Sequence, residues 1–228
     1  MAENTSGREI ELKLRVEDLA ALMRIAQVAG GTPERTAHQT NSFFDTDDRA
    51  LGVTGLVLRL REERVEASTR FFLTGKGPGT RDGSLTNVIE EEIEIDPATA
   101  KALREGADPI APLDVDPPSR RAVVAAMRRA LGGRAPHIIG TFMNERVRLP
   151  TTLSVGGADV PVVLELDRVS FPGGVTHHEV EMEVPTGVDP HAAADAFHAL
   201  FGRAGVVGRV SPGKARRLFA ALRRELTS

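Results

Sequence analysis

The strongest constraint on this chain is a period-two alternation of charged and apolar side chains that recurs along most of its length. Residues 8–16 (Arg-Glu-Ile-Glu-Leu-Lys-Leu-Arg-Val) set the pattern, with Ile10, Leu12, Leu14 and Val16 on one face and Glu9, Glu11, Lys13 and Arg15 on the other. Successive side chains of a strand point to opposite sides, so such a segment buries one face only. Strand-like runs follow near 38–45, 55–63, 69–76, 87–95, 138–149, 160–169 and 175–184. The stretch 77–86 is rich in Gly and Pro and reads as a turn joining 69–76 to 87–95 as a hairpin. Helical spacing marks 17–29, stopped by Gly30-Gly31, and 97–105. It also marks 119–131, with Ser119 as N-cap, 190–203, led by Asp189-Pro190, and 212–226, led by Ser211-Pro212. Short connections between strands predict an α+β protein built on an antiparallel sheet of about eight strands. The expected organisation is one domain over 1–228, with 1–7 disordered and 97–135 as a helical insertion.

The face opposite the apolar one is almost entirely ionic. It carries Arg59 and Arg61; Arg70, Thr74 and Lys76; Glu90, Glu92 and Glu94; Asn144, Arg146 and Arg148; Glu165 and Asp167; and Glu179, Glu181 and Glu183. A water-facing sheet could account for charge at this spacing. Solvated strands, however, usually mix in Thr and Ser, and Glu is a poor strand residue. The signs also segregate by strand, with acids concentrated on 8–16, 87–95, 160–169 and 175–184 and bases on 55–63, 69–76 and 138–149. Carboxylates at i and i+2 point the same way and offer hard oxygen ligands of the kind Mg²⁺ or Mn²⁺ takes. Clustered Arg and Lys offer forked and point-like donors for phosphate oxygens. If the sheet closes into a barrel, this face becomes a lumen, where so much charge is tolerable only when paired or liganded.

Composition narrows the chemistry. The formal charge of −3 excludes a generally basic nucleic-acid coat, and the absence of cysteine excludes a disulfide framework, a thiolate metal site and a cysteine nucleophile. Neither Trp nor Tyr occurs, so no step can use a phenol or an indole. No apolar run is long enough to span a bilayer and the first residues lack a signal-peptide core, so no membrane association and a cytoplasmic address are expected. Gly75-Lys76-Gly77 fails the P-loop pattern at both its first glycine and the residue after the lysine. His177 and His178 are adjacent, hence on opposite faces, and read as ordinary strand histidines. Arg216, Arg217, Arg223 and Arg224 read as a solvated helix face, and no nucleic-acid partner is expected.

These residues together resemble the CYTH family, the triphosphate tunnel metalloenzymes. Glu9-Ile10-Glu11-Leu12-Lys13 is similar to the family's Glu-x-Glu-x-Lys strand, and Phe43-Phe44-Asp45-Thr46 to its Tyr-Tyr/Phe-Asp-Thr element. Arg59-Leu60-Arg61, Thr74-Gly75-Lys76, Glu90 to Glu94, Arg146 with Arg148, Glu165-Leu166-Asp167 with Glu179-Val180-Glu181, and Lys214 follow in family order. The resemblance implies an eight-stranded antiparallel β-barrel that binds a small triphosphate with Mg²⁺ or Mn²⁺, as a monomer or homodimer. It implies metal ligation by Glu9, Glu11, Glu179 and Glu181, and triphosphate binding by Lys13, Arg59, Arg61, Lys76, Arg146, Arg148 and Lys214. Glu11, Lys76 and Glu181 are the catalytic candidates. Arg15, Asp45, Glu90, Glu92, Glu94, Glu165, Asp167 and Glu183 are supporting candidates.

The family includes inorganic triphosphatases, thiamine triphosphatases and class IV adenylyl cyclases. Phe43 and Phe44 stand where some members carry a tyrosine, and phenylalanine has no proton to exchange. Metal-assisted attack by water survives that loss. The expectation is therefore hydrolysis of inorganic triphosphate or a nucleoside triphosphate. The alternatives are the cyclase, the thiamine triphosphatase and a non-catalytic triphosphate- or nucleotide-binding module.

Overall fold

The computed structural model describes residues 8–225; the expectation for 1–7 lies outside the described residues. Nine strands are present among the described residues: β1 (Arg8–Val16), β2 (Ala37–Asp45), β3 (Val57–Val65), β4 (Ser68–Lys76), β5 (Thr80–Asp82), β6 (Leu85–Ile95), β7 (His137–Val155), β8 (Ala158–Ser170) and β9 (Thr176–Glu183). All pairings are antiparallel, in the order β1-β9-β8-β7-β2-β3-β4-β6. Contact between β6 and β1, with Arg8 opposite Ile89 and Leu12 opposite Leu85, closes these eight strands into a barrel. Closure removes the sheet edges. β5 pairs only with the start of β6, so the predicted turn 77–86 contains a short strand.

Six helices surround the barrel among the described residues: α1 (Leu19–Ala29), α2 (Ala50–Val53), α3 (Pro97–Arg104), α4 (Pro118–Leu131), α5 (Pro190–Arg203) and α6 (Lys214–Glu225). Their caps follow from local chemistry. Asp18 accepts from the Ala21 amide at the start of α1, and Asp189 accepts from the His191 and Ala192 amides ahead of α5. Two expected caps differ. The N-cap of α4 is Pro117 with Pro118 in the first turn, because a proline there gives up an amide that would have no partner. Ser119 thus lies inside the helix. α6 begins at Lys214 rather than at 212, and the Ser211 hydroxyl donates to the Pro212 carbonyl instead of capping it.

The hairpin β7–β8 is longer than the alternation suggests, running to Val155 and restarting at Ala158. Pro150 and Pro161 interrupt the pattern but not the pairing, and Gly156 and Gly157 turn the chain with φ of 58° and 85°. Two consecutive residues at positive φ are what a type I′ hairpin needs.

Most of the apolar core lies outside the barrel, between strands and helices. α1 and α5 pack on β1, β7, β8 and β9 through Leu22, Ile25, Phe197 and Leu200. α2, α3 and α4 cover β3 and β4 through Leu51, Leu103, Val124 and Met127. α6 instead fills one end of the lumen, laying Leu218 against Phe43, Phe142, Val169 and Phe171, the first three of which share the strand faces of Arg59, Arg146 and Asp167. Ile25 and Met127 are fully buried, so truncating either to Ala costs about 2–5 kcal/mol. With the outer face occupied, the ionic face of each strand turns inward.

Candidate active site

Charge enters the lumen in two groups. The first is built by β1, β7, β8, β9 and α6. Lys214 Nζ lies 2.8 Å from Asp167 and 2.6 Å from both Glu179 and Glu181. Lys13 Nζ lies 2.8 Å from Glu11 and 2.7 Å from Glu181. The Arg146 guanidinium forks onto Asp167 at 2.7 and 2.6 Å, donates to Glu181 at 2.7 Å and pairs with Glu165. Arg217 donates to Glu179 at 2.5 Å and lies 3.0 Å from His177 Nδ1, with Arg15 on the other ring nitrogen at 3.5 Å. Arg217 is therefore buried, not solvated; the helix-face pattern showed its spacing but not the docking of α6 against β9.

The second group is built by β1, β3, β4 and β6. Lys76 pairs with Glu90 and lies 3.5 Å from Glu9. Arg59 reaches Thr74 at 3.2 Å, Glu92 at 3.3 Å and Glu90 at 3.5 Å. Arg61 donates to Glu92 at 2.8 Å. Glu9 and Glu11, neighbours on one strand face, thus belong to different groups. The register explains it, since Glu9 sits beside β6 and Lys13 sits opposite Glu181 on β9.

The remaining candidates lie outside these groups. Arg148 is half exposed and pairs with Glu34 at 3.2 Å, while Glu94 is exposed and pairs with Arg70 at 2.5 Å. Glu183 is exposed at the end of β9. Asp45 accepts backbone amides from Thr46 at 2.8 Å, Leu51 at 2.9 Å and Gly52 at 3.0 Å, which makes it the anchor of α2. Phe43 packs against Phe142 and Phe219, with ring centroids 5.6 and 6.2 Å away.

Burial and pairing set the protonation states. Burial pushes the Glu9 carboxyl up to about 9, against the opposing pull of Lys76, and its hydrogen bond to Glu90 reinforces the rise. Burial opposes ionisation of Glu90 as well, but Lys76 and the bond from Glu9 override it and hold Glu90 below the usual carboxylate range. The two carboxyls therefore share one proton, carried by Glu9. Glu181 and Asp167 also ionise against burial, held low by Lys13, Lys214 and Arg146 for the first and by Arg146 and Lys214 for the second. Burial raises Glu165 in spite of Arg146.

Asp167, Glu179 and Glu181 each place a carboxylate oxygen within 4.8 Å of the other two, and all three are buried. Three hard oxygen donors at this spacing fit a divalent cation. Glu179 Oε1 adds a second sign, since it contacts Lys214 only as an ion pair and accepts no well-aligned hydrogen bond. Desolvation costs several kcal/mol per buried ion and offsets much of what the pairing returns, so the cluster is weak evidence of a purely stabilising role.

No curated protein sequence matches the chain. Among solved structures, a candidate adenylyl cyclase from Hippeastrum, HpAC1, described as having a dominant triphosphatase activity, is 25% identical with a TM-score of 0.74. The match covers 93% of this chain and 95% of that one. A candidate adenylate cyclase from Bacillus halodurans (24% identity, TM-score 0.61, 93% and 99% covered) and the PH1819 protein from Pyrococcus horikoshii (17%, 0.58, 92% and 98%) share the fold. The model of the CYTH domain matches residues 7–210, and the chain belongs to the CYTH family.

Proposed function

We propose that this chain is a divalent-metal-dependent hydrolase that cleaves the terminal phosphoanhydride of inorganic triphosphate. The observation that carries the reading is the juxtaposition, in one closed lumen, of the buried trio Asp167, Glu179 and Glu181 with bases from four strands and one helix. The similarity to a structure described as having a dominant triphosphatase activity supports the same reading.

In this proposal Glu11, Glu179 and Glu181, with Asp167 beside them, hold Mg²⁺ or Mn²⁺. The bound cation would neutralise phosphate charge and polarise the phosphoryl group or its attacking water. Glu9 joins the set as a carboxylate only after releasing the proton it shares with Glu90. Lys13, Arg59, Arg61, Lys76, Arg146 and Lys214 bind the triphosphate oxygens, exchanging their carboxylate partners for phosphate. Glu181, a member of the acidic trio, would orient the attacking water. Lys76 stands against charge developing on the leaving group. Water adds to the terminal phosphorus as the bridging P–O bond breaks, giving orthophosphate and pyrophosphate.

Incubation with triphosphate or ATP, with and without Mg²⁺ or Mn²⁺, tests the proposal. Metal-dependent phosphate release from triphosphate is the expected result. Cyclic AMP with pyrophosphate would instead make the chain a cyclase, preferential cleavage of thiamine triphosphate a thiamine triphosphatase, and tight binding without turnover a binding module.

A further inference from the structure

A cavity of about 300 Å³ lies at the end of the barrel that α6 closes. Glu179 marks its border with the lumen, since Oε1 of that carboxylate faces Lys214 and Oε2 accepts from Arg217, which lines the cavity. Arg15 of β1, His177 of β9 and Ser211, just ahead of α6, complete the polar lining, and no carboxylate belongs to it. Arg217 is buried, reaches His177 Nδ1 at 3.0 Å and leaves its Nε without a hydrogen-bond partner among the described residues. The Phe171 ring, 5.3 Å from its guanidinium carbon, fixes its position. Arg15 forms no ion pair among the described residues, and its side chain reaches His177 Nε2 at 3.5 Å. The backbone bridge to Arg209 sets a like charge opposite it, which is unfavourable on adjacent strands.

His177 cannot satisfy both arginines. A guanidinium only donates, so Nδ1 must accept from Arg217, and a neutral imidazole has a single acceptor nitrogen. Nε2 therefore carries a proton and meets Arg15 Nη1 as one donor against another. Protonating the ring would only add a further positive charge. The Ser211 hydroxyl is buried and has a long contact, 3.5 Å, to the Pro212 carbonyl, so it gives up little by turning to a better acceptor. What these groups lack in common is an anionic acceptor. Without a carboxylate the cavity has nothing to hold a cation, and its volume is at the small end for ligand sites, enough for a compact oxyanion and too little for a nucleotide.

We propose that this cavity is a second anion site, separate from the lumen, which binds one tetrahedral oxyanion of the phosphate type through Arg15, Arg217, the His177 Nε2 proton and Ser211. The anion accepts from all four and neutralises the arginine that the fold leaves unpaired. The assignment does not depend on what the lumen binds or cleaves.

The test is titration of the full chain, free of divalent metal, with inorganic phosphate at constant ionic strength, against chloride as the control. Nuclear magnetic resonance of the His177 ring nitrogens, assigned by their loss in His177→Gln, reports on the cavity itself. A saturable shift of the Nε2 signal with phosphate and none with chloride is expected. Arg15→Gln should weaken that response about tenfold or more, the loss of one charge-assisted hydrogen bond, and Arg15→Lys should restore part of it. Ala220→Glu, which tethers a carboxylate to the cavity wall, should abolish the response with both arginines in place. Because Arg15 has no carboxylate to leave behind, Arg15→Gln should unfold at or above the wild-type temperature in phosphate-free buffer. An Nε2 signal that phosphate does not move, an equal response to chloride, or a phosphate response unchanged in Arg15→Gln and Ala220→Glu would overturn the site. A clear loss of stability in Arg15→Gln without phosphate would do so too, since it would mean that a protein group already satisfies the arginine.

Discussion

Replacing Lys214 with methionine isolates the tension that organises the lumen. The substitution keeps most of the side-chain volume and removes one positive charge from a point 2.8 Å from Asp167 and 2.6 Å from Glu179 and Glu181. Breaking a buried ion pair from one side costs about 3–5 kcal/mol, because the partner stays buried and loses its counter-charge. Here three carboxylates lose a shared one, but Lys13, Arg146 and Arg217 still contact the same acids, which places the expected loss near 3 kcal/mol. That is a large part of a typical total of about 5–15 kcal/mol. Two further outcomes separate this account from a simple packing defect. Asp167 and Glu181 have folded pKa values below their ordinary 3.8 and 4.5, so the stability their ionisation contributes is present above those values and lost as pH falls through the lowered ones. The penalty of Lys214→Met must therefore be largest near neutral pH and shrink in acid. The vacated trio should also take up a divalent cation more readily, so Mg²⁺ or Mn²⁺ should stabilise the variant more than the wild-type chain. Urea unfolding at pH 7 and pH 4, with and without metal, measures all three. A loss below about 1 kcal/mol, or one independent of pH and metal, would refute the ion-pair account.

Glu11→Gln should abolish metal-dependent turnover, whereas Arg59→Ala should mainly raise KM; steady-state kinetics on triphosphate separate the two, and full activity in both would remove the lumen as the site. For Glu9, with a folded pKa near 9 against an ordinary 4.5, the protonated form is favoured in the fold, so its contribution is full below 4.5 and lost as pH rises through about 9. Glu9→Gln mimics the protonated carboxyl and does not titrate, so its Tm should match the wild-type value near pH 4 and lie increasingly above it as pH rises towards 9. Phe43→Tyr places a hydroxyl in the cluster formed by Phe142, Phe219 and Leu218; it should cost about 1–3 kcal/mol in denaturant unfolding and leave kcat no higher.

The alternation at 8–16, 55–63 and 87–95 was legible because strand periodicity is local: a residue's face is decided by its immediate neighbours. Alternation of this kind, with a charged face too extensive to be left unpaired, determined the α+β class, the antiparallel sheet and most of the lumen's residues. What it could not decide was which charges meet. Glu9 and Glu11 look equivalent in sequence, yet β6 places one against Glu90 and β9 places Lys13, the other's partner, against Glu181. Asp45 looks like a lumen carboxylate until its three amide donors identify it as the anchor of α2. Arg217 looks solvated until α6 docks and presses it onto Glu179. Each of these outcomes depends on barrel closure or helix docking between segments far apart in the chain, and Coulomb energies change steeply over the few ångströms that such packing sets. The sequence alone thus determined that the barrel is lined with opposed charges, and only the tertiary structure decided which of them hold a proton, which pair, and where an anion can still enter.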